Sequence, residues 1–508
     1  MAKKKQTEED NLVELPSEYY NKGLSDRKPF EDRAEDIAEV TIPALFRRTG
    51  SSGSDRLKDR YVQSLGAKIT KNLSSKITLT LFPPSASGFR LSPDLRSLQK
   101  LTGGNPDMLA QVNQELSSGV DLINKQIEAQ DIRKFVFGLI DQQLIVGSCI
   151  MEKVPNRGVK VHGLRSIRVS LDDVGEAYKM CVKETLSVLP SELIGSVEPK
   201  DEYELYTMCV KDTTTDIWTV SQEIDGVMVG TEETYKGMDC PFSYQGMVWN
   251  IGEKYHRPFA EDHYGSLSSY DKLSKVLTQG SLIASKSLTF VDERGGRTRK
   301  ADVANSENGA VIDGRADDVT SFQHQKNFDF QVPMQVRAEI RQELEESFLA
   351  KNSITRQAER VTAEEIREMA KELESSMAGV YATISNRITK QIVIWIMNEL
   401  KLKFKTISID IITGLNALGM SNEIVKLDGF VTRLAQMQKI NWIKDAELIS
   451  RYASGYGINT VNLLKTPNEV QQENQAMQQQ MAQQQLVQSG ADSLGKSAGQ
   501  ALVNQGGQ

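Results

Sequence analysis

This chain has almost no histidine or cysteine, four of each in 508 residues. Cys149, Cys181, Cys209 and Cys240 stand roughly 30 residues apart, a spacing that suits neither a zinc site nor a redox pair. A chain of this length does not need disulfide staples, so free thiols in a reducing compartment are expected. No apolar run approaches the ~18 residues of a membrane helix, and the best, around Ile392–Met397, is one face of a longer helical pattern. The opening MAKKK is followed by QTEEDN, where a signal peptide would need an apolar stretch, so none is expected. Positive charge is short as well, with 61 Lys and Arg against 68 Asp and Glu, a net charge of -7. That balance argues against tight nucleic-acid binding as the main task, because neutralising phosphate needs clustered cations. It does not argue against a conduit, since an acidic wall repels phosphate and a passing duplex would not stick.

What is present is a chain with material for packed cores, 39% apolar and 25% charged. Its length suggests about three domains. The richest stretch is Ser353–Leu400, SITRQAERVTAEEIREMAKELESSMAGVYATISNRITKQIVIWIMNEL. Thr362 followed by Glu365 makes a capping box, which marks a helix start. Apolar residues then recur at Ile366, Met369, Leu373, Met377, Val380, Ile384, Ile388, Ile392 and Ile396. Steps of three and four keep one stripe apolar over a rod of roughly 60 Å.

Residues 1–25 are polar, and 26–154 carry helical patterns at Pro29–Val40, Asp59–Phe82 and from Met108 to about Gly147. The period changes across 157–250. VKVHGLRSIRVSLD, YKMCVKETL, YELYTMCVK and DIWTVSQEIDGVMVG alternate, or are rich in β-branched and aromatic residues, as strands do. A helical period returns at 264–288, with Gly280 as a weak point. Strand- and turn-like sequence fills 289–328. Pro333 suits the first turn of a further helix, and shorter helices are expected at Asn422–Met437 and Trp442–Tyr452. From Thr466 to the end, 13 of 43 residues are Gln, a low-complexity tail.

Four segments in order carry a family resemblance: PFEDRAEDIAEVTIPALF at 29–46, GAKITKNLSSKITLTLFPP at 66–84, GLIDQQLIVGSCIMEKV at 138–154 and RQAERVTAEEIR at 356–367. The chain, over roughly residues 20–465, resembles the portal proteins, the head-to-tail connectors of autographivirus-type short-tailed phages (podoviruses). The resemblance implies an α+β fold, mostly helical. It has a flexible segment (1–25), a wing (26–263, with the β-rich block 157–250), a first stem helix (264–288) and a small β-containing clip (289–328). A second stem helix (329–350), a tunnel loop (351–361), a long wing helix (362–403), wing and crown helices (404–465) and a Gln-rich crown extension (466–508) follow. It further implies a ring of about twelve copies at one capsid vertex. Double-stranded DNA would pass through that ring. The partners would be the terminase motor, a tail adaptor, and the major capsid and scaffold proteins. No cofactor and no membrane contact are implied, and the place is the virion after assembly in the host cytoplasm.

Two basic clusters are candidate sites. Lys351, Arg356 and Arg360 flank the tunnel-like loop. They read either as a charged loop with helix-end ion pairs or as a basic constriction facing phosphates, and the resemblance favours the second. Arg294, Arg297, Arg299 and Lys300 surround Gly295–Gly296, either as a solvated hairpin tip or as a basic ring at the clip. On the second stem helix, Glu339, Glu343, Glu345 and Glu346 lie among Arg337 and Arg341, as ordinary ion pairs or as channel lining. HRPFAEDH, with His256 and His263, has no zinc-type spacing and reads as a surface loop. The pairs Asp172–Asp173 and Asp317–Asp318 point to opposite faces of a strand and make poor acid–base pairs. No catalytic residue and no metal ligand are assigned. The rival classes are a packaging ATPase or nuclease and a non-portal scaffold. The first is set aside in the expectation that the chain carries neither a phosphate loop nor a nucleophile elbow. The second is opposed by the β-rich block and the lack of sustained heptads.

Overall fold

The computed structural model describes residues 14–48, 63–84, 87–93, 106–189, 197–284, 287–292, 298–307, 311, 313, 315–323, 327–350, 363–377, 379–402, 407–411, 427–438, 443, 448–449 and 452. The chain falls into a larger unit, residues 1–85 and 126–401, and a smaller one, 86–125 and 402–508. The fold is α+β and mostly helical, as the sequence implies.

The larger unit opens with α1 (Pro16–Lys22), α2 (Leu24–Val40) and α3 (Leu65–Leu81). In α3 the residues Ile69, Leu73, Ile77 and Leu81 are fully buried, one stripe at steps of four. Part of its polar surface is also covered, while Lys68 and Lys71 are exposed. Thr70 and Thr78 return their hydroxyls to the carbonyls of Gly66 and Ser74 at 2.8 Å, which satisfies them inside the helix.

In the smaller unit, β1 (Phe89–Pro93) pairs antiparallel with a strand more than 300 residues later, Phe89 facing Ile411. The helix α4 (Pro106–Ala129) follows. A single helix was expected from Met108 to about Gly147, but the chain turns at Asp131, which has φ of 51°. Aspartate tolerates this left-handed geometry better than most residues. The next helix, α5 (Ile132–Ile145), packs on α3.

The β-rich block forms two sheets. In the first, β2 (Ser148–Val154) lies between β3 (Gly158–His162) and the later β9. The second is an antiparallel meander of β4 (Ile167–Leu171), β5 (Ala177–Leu186), β6 (Tyr203–Asp212), β7 (Ile217–Ile224) and β8 (Val227–Lys236). Asp225 and Gly226, both at positive φ, make the tight β7–β8 hairpin. Tyr19 and Tyr20 of α1 close one patch of this sheet over Cys181, Tyr206 and Met208. The buried Glu223 carboxylate holds α1 there, accepting from the Ser17 N–H at 2.8 Å and the Ser17 hydroxyl at 2.6 Å. β9 (Phe242–Gly246) then returns to β2, with Ser148 opposite Gly246.

Two long helices follow, α6 (Tyr264–Ala284) and α8 (Asn327–Ser347), with β10 (Ser287–Val291), the short α7 (Lys300–Asn305) and β11 (Val319–Gln323) between them. β10 and β11 pair antiparallel. The helices also run antiparallel. Ser266 donates to Glu343 at 3.0 Å at one end, and Gly280 meets the Phe330 ring at the other. Gly280 is therefore no break in α6, because its missing Cβ leaves room for that ring. Pro333, expected in the first turn of α8, lies inside it. Packing of Phe330 on α6 draws the chain into helix before the proline is reached, at the loss of one backbone hydrogen bond.

The long wing-like helix is described as α9 (Ala363–Met377) and α10 (Gly379–Glu399), with Ala378 and Thr362 outside the described residues. Ile366, Leu373, Met377, Ile384, Ile388, Ile392 and Ile396 are buried, and Met369 and Val380 are half-buried. The apolar stripe thus faces a core along its length. In the smaller unit, β12 (Ile407–Ile411) completes the pair with β1, and 427–436 is helical. Among the described residues, no helix is long and apolar enough to cross a membrane. Most of Trp442–Tyr452 and all of 466–508 lie outside the described residues.

Candidate functional site

Of the two basic clusters, Lys351, Arg356, Arg360, Arg294 and Arg297 lie outside the described residues. Arg299 and Lys300 are described and exposed at the start of α7. There the Arg299 carbonyl accepts the N–H of Asp302 at 3.1 Å and of Val303 at 3.2 Å. The stem of that excursion is tied by Asp318, which accepts the Thr298 hydroxyl at 2.8 Å. The Arg315 N–H donates to the same hydroxyl at 3.0 Å. Asp318 is thus a structural carboxylate. Asp172 has a similar task in the β4–β5 turn, accepting the N–H of Val174 at 3.0 Å and of Glu176 at 2.8 Å.

The acidic side chains of α8 have local partners. Glu345 pairs with Arg341 at 2.9 Å, Glu339 accepts from Gln335 and Glu346 from Gln342, both at 3.2 Å. Exposed pairs of this kind contribute little to stability. Arg337 lies over the Tyr270 ring of α6, 6.0 Å from its centroid.

The C-terminal end of α8 is built with more care. The Ala350 N–H donates to the Glu345 carbonyl at 2.6 Å and the Leu349 N–H to Glu346 at 3.0 Å, the two bonds of a Schellman cap. Leu349 takes the left-handed position with φ of 54°, where glycine is usual. That costs about 1–2 kcal/mol for a residue with a Cβ. Burial of the leucine side chain, 7% exposed, offsets it by roughly 1.5–3 kcal/mol. The Leu349 carbonyl is then captured from α3, by Lys76 Nζ at 2.7 Å and Asn72 Nδ2 at 3.3 Å. Lys76 Nζ also donates to Glu372 Oε2 of α9 at 2.9 Å. Phe348 is fully buried against Phe259 and His263. No local pattern in the sequence marks the Lys76 contacts, whose partners are 273 and 296 residues away.

The HRPFAEDH segment is not a surface loop throughout. His256 is buried, with Nδ1 3.0 Å from the Tyr244 hydroxyl, and its ring covers Gly246. Its N–H donates to Ser148 Oγ at 3.1 Å. A histidine ten residues after the strand end was too weak a signal to reveal this. Burial, with a smaller effect from the Arg387 guanidinium, pushes the His256 imidazole down to about 4. The folded chain therefore binds fewer protons than the unfolded chain between about pH 4 and 6.5. The corresponding stability is complete above pH 6.5 and is lost as the pH falls to 4, by roughly 3 kcal/mol. Thermal melts at pH 7 and 4.5 should show that loss, and His256→Gln should flatten it. An equal acid loss in the variant would place the effect elsewhere.

One ionisable cluster escaped the sequence reading. Glu152, His162 and Glu184 bring ligand-type atoms within 4.8 Å of one another. Lys160 lies opposite Glu152 in the β2–β3 register, bonds to Glu184 and stands 4.0 Å from Glu152. An ammonium already supplies the positive charge these carboxylates need, so the cluster is a half-exposed ion pair network linking the two sheets. The four cysteines are buried and free. Burial pushes the Cys149 and Cys181 thiols well up, which keeps them protonated.

One expectation fails on the sequence itself. GADSLGKS at 490–497 spells the phosphate-loop pattern, and GKSAG at 495–499 spells the nucleophile-elbow pattern. Both motifs need a preceding apolar strand that presents the loop, and here a Gln-rich run precedes them. Both lie outside the described residues. Neither carries an enzymatic assignment without that strand.

The chain is similar to the portal protein of Escherichia phage T7, 29% identical and covering 96% of this chain and 93% of the relative. It is similar at 29% to that of Enterobacteria phage T3, over 89% and 88%. A solved structure, the neck of a native gene transfer agent particle, matches 76% of this chain and 88% of its own at 12% identity with a TM-score of 0.36. The family model described as "Bacteriophage head to tail connecting protein" matches residues 17–463. A match across that much of the sequence settles the family: the chain belongs to the bacteriophage head-to-tail connecting proteins.

Proposed function

We propose that this chain is the subunit of a portal ring of about twelve copies at one capsid vertex, a closed cyclic assembly. The ring is the channel for double-stranded DNA during packaging, retention and ejection. It docks the terminase motor first and a tail adaptor later, and it sits among the major capsid and scaffold proteins. The subunit works as a wing (26–263 and 362–403), a stem (264–288 and 329–350) and a clip (289–328). The tunnel loop (351–361) and a crown (404–465, extended by 466–508) complete it. Lys351, Arg356 and Arg360 face DNA phosphates, and Arg294, Arg297, Arg299 and Lys300 ring the clip. The chain itself makes and breaks no bond. Its place is the virion, after assembly in the host cytoplasm.

The observation that carries this reading is the family match from residue 17 to 463. The stem supports it. Val276, Leu282, Val332 and Met334 on α6 and α8 are each more than half exposed, apolar side chains that neighbouring subunits would cover. Electron microscopy of the purified protein in moderate salt should give rings of about twelve-fold symmetry with a duplex-wide hole. Filaments would instead favour a non-portal scaffold. ATP hydrolysis that disappears in Lys496→Ala would move the chain into the enzyme class.

A further inference from the structure

We propose that Lys76 is a positioning residue for the two helices that border residues 351–361. Its ammonium fixes the geometry in which the chain leaves α8 at Leu349 and holds α9 to the same point of α3. This consequence for function rests on the channel reading of Lys351, Arg356 and Arg360. The positioning itself rests only on described residues.

Lys76 is 6% exposed and sits on α3, outside the helices it would position. A buried ammonium is stable only when its donors are used. Here one donor goes to the Leu349 carbonyl at 2.7 Å and another to Glu372 Oε2 at 2.9 Å. These acceptors lie on opposite sides of 351–361, one at the end of α8 and one within α9. A single side chain therefore joins the two elements that border the segment.

The carbonyl it captures belongs to a residue in an unfavourable conformation. Leu349 holds φ of 54° with a bulky side chain, a geometry that persists only where the surroundings over-determine it. Burial of the side chain fixes one end of the residue, and Lys76 with Asn72 fixes the other. Without the ammonium, Leu349 is free to relax to an ordinary backbone angle. The Ala350 bond to Glu345 would open, and the chain would leave α8 in a different direction. In a ring that change recurs in every subunit, at the two helices that border the basic residues.

The test is hydrogen–deuterium exchange on the full-length protein, comparing peptides over 345–352 with peptides over 384–396 of α10. Lys76→Met is expected to speed exchange at the Leu349 and Ala350 amides about tenfold, the loss of one charge-assisted hydrogen bond, with α10 unchanged. Lys76→Arg, which keeps a cation and its donors, should restore most of the protection. Lys76→Met with Glu372→Leu removes both charges and so avoids an unpaired buried carboxylate. It should still exchange fast at 349–350. Unchanged exchange there in Lys76→Met overturns the proposal. So does an equal rise in α10, or recovery in the charge-free double variant, since either means that only overall stability was touched. Phage carrying Lys76→Met tests the other layer. Fast exchange with normal genome retention would keep Lys76 as the anchor and remove the channel role of 351–361.

Discussion

Trp395→Ala is expected to lower stability by about 3–5 kcal/mol, in the range for deleting a large buried aromatic side chain. Trp395 is 2% exposed and among the largest fully buried side chains. Its indole N–H donates to the Cys240 carbonyl at 2.8 Å, and its own carbonyl accepts Lys153 Nζ at 2.6 Å. Two further contacts lie on the same face of α10. Gln391 donates to the Met238 carbonyl and Asn398 to Asp239 Oδ1, each at 2.8 Å. Positions 391, 395 and 398 thus dock α10 along the turn before β9. The alanine variant loses apolar area, opens a cavity and orphans the Cys240 carbonyl at once. Trp395→Phe separates these effects. It keeps most of the area and should cost only the about 1–3 kcal/mol of an unsatisfied buried acceptor. Urea unfolding followed by circular dichroism measures both. A loss below about 1 kcal/mol in the alanine variant would mean that α10 is not held at this point.

The apolar stripe of α10 and the meander strands were legible in the sequence because both signals are local. A strand with one buried face alternates, and a helix with one buried face repeats at three and four. The β1–β12 pair had no such signal, since Phe89 finds Ile411 only through the rest of the fold. The same holds for the three-stranded sheet, where Ser148 lies opposite Gly246. Pro333 was misplaced because its local preference for a first turn competes with the packing of Phe330 on α6, a contact no window of sequence contains. His256 illustrates the converse. Two histidines near two acids suggest a polar loop, yet the tertiary fold buries one against Tyr244. Of the candidate site, motif order marked basic residues that lie mostly outside the described residues. The Lys76 contacts were invisible in the sequence, because they span 273 and 296 positions.

Arg356→Glu combined with Arg360→Glu should leave rings intact and reduce DNA packaging or retention severely. Both residues lie between α8 and α9 in the sequence, and neither belongs to the apolar stripe that α9 and α10 bury. Assembly should therefore survive the reversal. The effect on DNA follows from repetition. A single exposed arginine contributes little to binding, but a ring places the same charge around one duplex in every subunit, and each neutralised phosphate releases counterions. On the proposed channel reading, reversal replaces that attraction with repulsion in a ring whose subunits are already acidic, at -7 each. The defect should weaken as salt rises, because screening shortens the reach of the reversed charges. Arg356→Gln with Arg360→Gln removes attraction without adding repulsion and should give an intermediate defect. The measurement is packaged DNA length and retention in particles whose rings have been confirmed by microscopy. Normal length and retention in the glutamate variant would show that the two arginines do not touch the passing DNA. A defect of equal size in the glutamine and glutamate variants would point to a specific hydrogen bond rather than to the field of the ring.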